Sequence, residues 1–185
     1  SDPDPAFVIA PLRWRRPALG LQMPDTFISI LEETGLIMEA GDWVLRSAIH
    51  AVQSLPVMLA INVSPRQLQH PNIADRLVRV LDEFGFPPER LEVEITEGVL
   101  MDSTADARSI LQALRDQGVR TALDDFGTGY SSLAYLTRMP IGKIKIDRYF
   151  VAGLLSGRDN VAIVRAILAM ADSLDMDVTA EGVET

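Results

Sequence analysis

The chain has 185 residues, enough for one domain with a substantial core, and its 48% hydrophobic and 23% charged residues are ordinary for a globular protein. A formal net charge of −9 argues against broad binding of DNA or RNA through a basic surface, and the lack of cysteine removes disulfides and thiolate metal sites. No apolar run approaches the ~18 residues that span a bilayer and no charged-then-apolar leader opens the chain, so a cytoplasmic segment without membrane contact is expected. One domain is expected over residues 7–185, behind a frayed end at 1–6.

In chain order, Leu12 to Trp14 reads as a strand end and Arg15 to Pro24 as a loop. Phe27, Ile30, Leu31 and Thr34 then recur at helical spacing after Pro24-Asp25, with Gly35 placed to close the helix. Trp43, Val44, Ser47, Ala48, Ala51 and Val52 give a second helix. A third follows over Ile73, Leu77, Val80, Leu81 and Phe84, ending at Gly85. Ile110, Leu111 and Leu114 mark a fourth that ends at Gly118, and Val161, Val164, Ile167, Leu168 and Ala171 a fifth.

Between these helices lie five short apolar runs, each ending in an oxygen-bearing side chain. They are Val57 to Asn62, Leu91 to Glu97, Val119 to Asp125, Lys143 to Asp147 and Met176 to Glu181. Strands alternating with helices predict a parallel sheet, either an open doubly wound sheet or a closed barrel. No Gly-x-Gly-x-x-Gly turn follows the first strand, which weakens the dinucleotide-binding reading. Polar residues after every strand favour the barrel, where strand C-termini converge on one chemical face. The expected class is α/β, a (β/α)8 TIM-like barrel. About six of the eight strands are legible, and a complete barrel takes ~250 residues, so an incomplete barrel is expected.

A ring of carboxylates and an amide with one lysine suits hard divalent cations, which also lets an acidic protein accept an anionic ligand. Adjacent aspartates cannot both face inward from a regular strand, because side chains alternate. Asp125 must therefore sit where the strand has already turned. Two carboxylates that close repel unless a cation bridges them. The bland alternative stays open at each single position, since Asp or Asn after a strand often only caps the next helix. Lys143 and Lys145 share one strand face. His50 and His70 lack ligand spacing, and Trp14 and Trp43 read as core or rim.

Five blocks now stand in order: Asn62-Val63-Ser64, Glu94-Ile95-Thr96-Glu97, Asp124-Asp125-Phe126-Gly127-Thr128-Gly129-Tyr130-Ser131-Ser132-Leu133, Lys145-Ile146-Asp147 and Glu181-Gly182-Val183-Glu184-Thr185. Together they resemble the EAL domain, the bacterial phosphodiesterase for cyclic di-GMP. The resemblance implies two Mg²⁺ or Mn²⁺ ions and opening of cyclic di-GMP to linear pGpG. By position, Asn62, Glu94, Asp124 and Asp125 resemble metal ligands. Lys145 resembles the lysine that holds the attacking water, and Glu181 a carboxylate with a base or metal-site role. Glu97 resembles the anchor of the Phe126 to Ser132 loop, and Arg13 and Asp147 resemble substrate-binding residues. The resemblance also implies a homodimer and a linked sensor or GGDEF domain. Two departures stand out. Ile9-Ala10-Pro11 occupies the register of the Glu-Ala-Leu signature, with Ile9 where the metal-binding glutamate belongs. The family's first and last strands are not seen. Impaired hydrolysis is therefore expected, with a silent cyclic di-GMP receptor or a dimerisation module as alternatives.

Overall fold

The structure is a computed structural model and describes residues 6–98, 105–127, 136–155 and 158–183. Most of the expected frayed end, the centre of the Phe126 to Ser132 loop, and Glu184 lie outside the described residues. The chain opens with β1 (Phe7–Ile9) and an antiparallel hairpin, β2 (Trp14–Arg16) and β3 (Gly20–Gln22). Helices α1 (Ile28–Thr34) and α2 (Ile37–Val52) follow, then β4 (Met58–Asn62) and α3 (Pro65–Leu68). Next come α4 (Ile73–Phe84), β5 (Leu91–Thr96), α5 (Ala105–Asp116) and β6 (Arg120–Phe126). The last elements are β7 (Lys143–Ile146), α6 (Arg148–Ala152), α7 (Arg158–Ser173) and β8 (Asp177–Ala180).

Six strands form one sheet in the order β1-β4-β5-β6-β7-β8, and every pairing within it is parallel. The sheet curls. The Phe7 ring of β1 lies 4.0 Å from the Lys143 ammonium of β7, although three strands separate them in the sheet. The fold is an α/β half-barrel of parallel strands.

Strand alternation sorts the two faces. Outward, Leu59, Ile61, Val93, Ile95, Leu123 and Ile144 join a core with Leu45 and Ile49 of α2, Leu77 and Leu81 of α4, and Leu111 and Leu114 of α5. Inward, the same strands carry Ala60, Asn62, Glu92, Glu94, Ala122, Asp124, Lys143 and Lys145. Barrel interiors are usually filled by bulky aliphatics. Here the inner face is charged, so stability rests on the outer layer and the inner face is left for chemistry.

Two expectations need correction. The sheet's first strand is Phe7–Ile9, and Trp14 instead opens the hairpin that fills the expected Arg15 to Pro24 loop. Three-residue strands with exposed side chains leave no periodic signal. Trp14 and Trp43 are both exposed, which excludes the core half of the core-or-rim expectation. Helices α1 and α4 end at Gly35 and Gly85, both left-handed, as their positions anticipated. Among the described residues no helix is long and apolar enough to cross a membrane.

Candidate active site

The C-terminal ends of the strands bring the polar residues together. Lys145, only 5% exposed, points from β7 into the curl. Its ammonium lies 2.8 Å from a Glu94 oxygen, 2.9 Å from Asp124 Oδ1 and 2.6 Å from Glu181 Oε1. Glu94 and Asp124 lie near the C-terminal ends of β5 and β6, and Glu181 follows β8. Asn62, the last residue of β4, donates through Nδ2 to Glu94 Oε2 at 3.3 Å. One lysine and four oxygen-bearing side chains thus meet from five strands.

Asp125 adopts φ 54°, the left-handed region that aspartate tolerates better than most residues. This is the turn that two adjacent inward aspartates require. It places Asp125 in a group with Asp124 and Glu181 in which one carboxylate oxygen from each lies within 4.8 Å of the other two. Burial, then the charges of Asp124, Asp147 and Glu181, push the Asp125 carboxyl up to about 6. Burial also raises Glu94, opposed by Lys145 and reinforced by Asp124 and Glu92. Burial alone would lower the Lys145 pKa, but Glu181, Glu94 and Asp124 outweigh it and raise the value. The lysine stays charged, and the carboxylates are short of positive charge on the Asp125 side. Three clustered oxygen donors, with the Asp125 carboxyl raised, suit one hard divalent cation.

Three further candidates differ in their surroundings. Asp147 caps α6, accepting from the Tyr149 backbone N–H at 2.7 Å, and its side chain also shares a hydrogen bond with Asp125, which joins it to the cluster. Glu97, buried just past β5, accepts from the Gly127 N–H at 2.7 Å, and its other oxygen has no hydrogen-bond partner. Arg13 lies exposed between β1 and β2, hydrogen-bonded to the Leu12 carbonyl and outside the Lys145 cluster. His50 and His70 are also outside it. Glu92 was not anticipated as part of the interior. The alternation Leu91-Glu92-Val93-Glu94 carried that signal, since it puts both glutamates on one strand face.

The EAL domain model matches residues 5–185. This chain belongs to the EAL domain family. The cyclic di-GMP phosphodiesterase NbdA of Pseudomonas aeruginosa is 40% identical over 180 residues, which are 94% of this chain and 23% of that protein. The cyclic di-GMP phosphodiesterase PdeR of Escherichia coli is 40% identical over 179 residues, 94% of this chain and 27% of that protein. The chain thus spans about a quarter of the length of these curated relatives. The solved MucR phosphodiesterase in complex with c-di-GMP, from Pseudomonas aeruginosa, superposes with a TM-score of 0.86 at 39% identity, covering 96% of this chain and 74% of that one.

In this EAL domain Ile9 is half exposed and pairs with Ala60 of β4. It lines a cleft of about 360 Å³ with Phe7, Glu94, Lys145, Arg148 and Glu181. The donor set therefore divides. Asp124, Asp125 and Glu181 fit one divalent cation. On the other side Glu94 is engaged by Lys145 and Asn62, and Ile9 brings no oxygen. The residues present do not complete a second site there.

Proposed function

We propose that this EAL domain binds cyclic di-GMP and opens it to linear pGpG, with hydrolysis strongly impaired by Ile9. The observation that carries the reading is the Lys145 ammonium within 2.9 Å of carboxylates from three different strand ends. Such convergence from distant segments is what a barrel's catalytic face requires. The relatives named as cyclic di-GMP phosphodiesterases, and the MucR complex with c-di-GMP, supply the substrate class.

In this reading Asp124, Asp125 and Glu181 hold a Mg²⁺ or Mn²⁺ ion, with Asn62 and Glu94 lining the incomplete neighbouring position. A divalent cation at such a site offsets phosphate charge and acidifies water. Lys145 fixes Glu94, Asp124 and Glu181 around the attacking water, and an N–H reaches that water when one of those three contacts is released. Glu181, half-buried beside it, accepts the proton. Arg13 and Asp147 take substrate phosphate and base contacts. Glu97 anchors the loop after Gly127, a role supported by its bond to that N–H and by its second, partnerless oxygen. A homodimer and a linked sensor or GGDEF domain belong to the same proposal, the linked domain supported by the greater length of the relatives.

The test is chromatographic separation of pGpG from cyclic di-GMP after incubating the full-length protein with Mn²⁺ or Mg²⁺. Slow product formation is expected, and faster formation on Ile9→Glu. Ile9 favours a second reading, a receptor that binds without cleaving. Calorimetric binding with no product from the parent, and product gained on Ile9→Glu, would select it.

A further inference from the structure

Beneath the site, one layer deeper in the curl, lies a second ion pair that the proposed chemistry does not use. Lys143 Nζ is 2.6 Å from Glu92 Oε2. Glu92 is 2% exposed and Lys143 8%. The Phe7 ring covers the ammonium at 4.0 Å. Lys143 is two residues before Lys145 on β7, and Glu92 is two before Glu94 on β5, so both pairs project from the same faces. The interior therefore holds a stack of two glutamates facing two lysines.

That stack creates a choice. The span between residues two apart on a strand is about 7 Å, within the sweep of a lysine's flexible four-carbon stem. Glu92 and Glu94 are thus rival partners for Lys145. A carboxylate as buried as Glu92 stands unpaired only at a heavy desolvation cost. With Lys143 in place Glu92 is satisfied, and Lys145 is left to Glu94, Asp124 and Glu181. Phe7 adds a cation–π contact that holds Lys143 at the lower level.

We propose that Lys143 is a positioning residue: by pairing with Glu92 under Phe7 it keeps Glu92 from drawing Lys145 down out of the site. The other charges near this lower layer are Arg115, Arg120 and Asp177, which line the same lower cleft. Arg120 is the group best placed to take Glu92 instead, which gives the proposal a way to fail. The inference rests on the ion-pair geometry and stands whether or not the domain hydrolyses cyclic di-GMP.

The experiment is NMR of the lysine side-chain ammonium groups in the full-length protein labelled with ¹⁵N-lysine, with Lys145→Arg used to assign the Lys145 signal. Three variants are compared with the parent: Lys143→Met, Lys143→Arg, and Lys143→Met combined with Glu92→Gln. Lys143→Met is expected to move or broaden the Lys145 signal and to change Mn²⁺ affinity by roughly 10- to 100-fold, as groups acting on a ligand do. The double variant removes the rival carboxylate and is expected to restore both. Lys143→Arg is expected to keep both. If Lys143→Met does not fold, the double and Arg variants still decide, because each must retain the parent Lys145 signal. The proposal is overturned if Lys143→Met changes only the melting temperature and leaves the Lys145 signal in place. A folded double variant with a displaced Lys145 signal overturns it equally.

Discussion

At Ile9 a branched apolar side chain lines the same cleft as Glu94 and Lys145. It supplies no donor and raises the cost of any ion beside it. Replacing it with glutamate is expected to raise Mn²⁺ affinity at least about tenfold, the lower end of what ligand-supporting groups contribute. A titration followed by electron paramagnetic resonance measures this, and unchanged affinity removes Ile9 from the site. Asp125 sets the pH dependence. Its carboxyl titrates at about 6, above the ordinary aspartate value of 3.8. Protons compete with the cation, so Mn²⁺ affinity is expected to fall as pH drops through about 6. For the metal-free protein the sign is opposite. Between the two values the folded state binds more protons than the unfolded state, so this group's contribution to stability declines as pH rises through the window. Asp125→Asn should flatten that slope and raise the melting temperature of the metal-free protein above pH 6. A melting profile identical to the parent across pH 4–8 contradicts it. These roles were partly legible in the sequence. The Asp124-Asp125 pair demanded a turned backbone, and φ 54° at Asp125 supplies it. That Lys145 joins three carboxylates was not legible, because the curl of the sheet brings those strand ends together.

Among the elements, α2 and β4 are joined through one side chain. Arg90, just before β5, donates to the carbonyls of Val52, Gln53, Leu55 and Val57 and stacks on the Phe86 ring. It satisfies acceptors at the C-terminus of α2 that have no helical partner. Arg90→Ala is expected to cost about 2–3 kcal/mol, the scale of leaving such acceptors unmade, measurable by urea denaturation. A loss under about 0.5 kcal/mol, the level of a neutral surface change, contradicts the capping role. At the end of β6, Gly127 has φ +101°, and an added Cβ would come 2.6 Å from the Phe150 ring. Gly127→Ala is therefore expected to lower the melting temperature and disturb the Glu97 contact. Long helices were legible because α2, α4, α5 and α7 show 3.6-residue apolar periodicity. The four-residue α3 was not predicted, although its Ser64-Pro65-Arg66-Gln67 start is a capping box with both hydrogen bonds made. The β2–β3 hairpin left no sign, since its short strands bury nothing.

Over the whole molecule, an apolar outer layer joins sheet to helices while the inner face keeps its charges. That division explains why the strands read as short apolar runs with polar ends. Their outward residues are Leu, Ile and Val, and their inward ones are Glu and Lys in the lower layer and Asn, Glu, Asp and Lys at the C-terminal rim. It also explains how a chain of net charge −9 can meet an anionic dinucleotide. Lys145, with the cation proposed at Asp124, Asp125 and Glu181, would set positive charge against the carboxylates where the strands converge. The direct measurement is calorimetric titration of cyclic di-GMP into the full-length protein with Mn²⁺ present, alongside Asp124→Asn. Saturable heat in the parent, weakened at least about tenfold in Asp124→Asn, is the expected result. No heat from the parent, or equal affinity in both proteins, would show that this rim does not hold the dinucleotide.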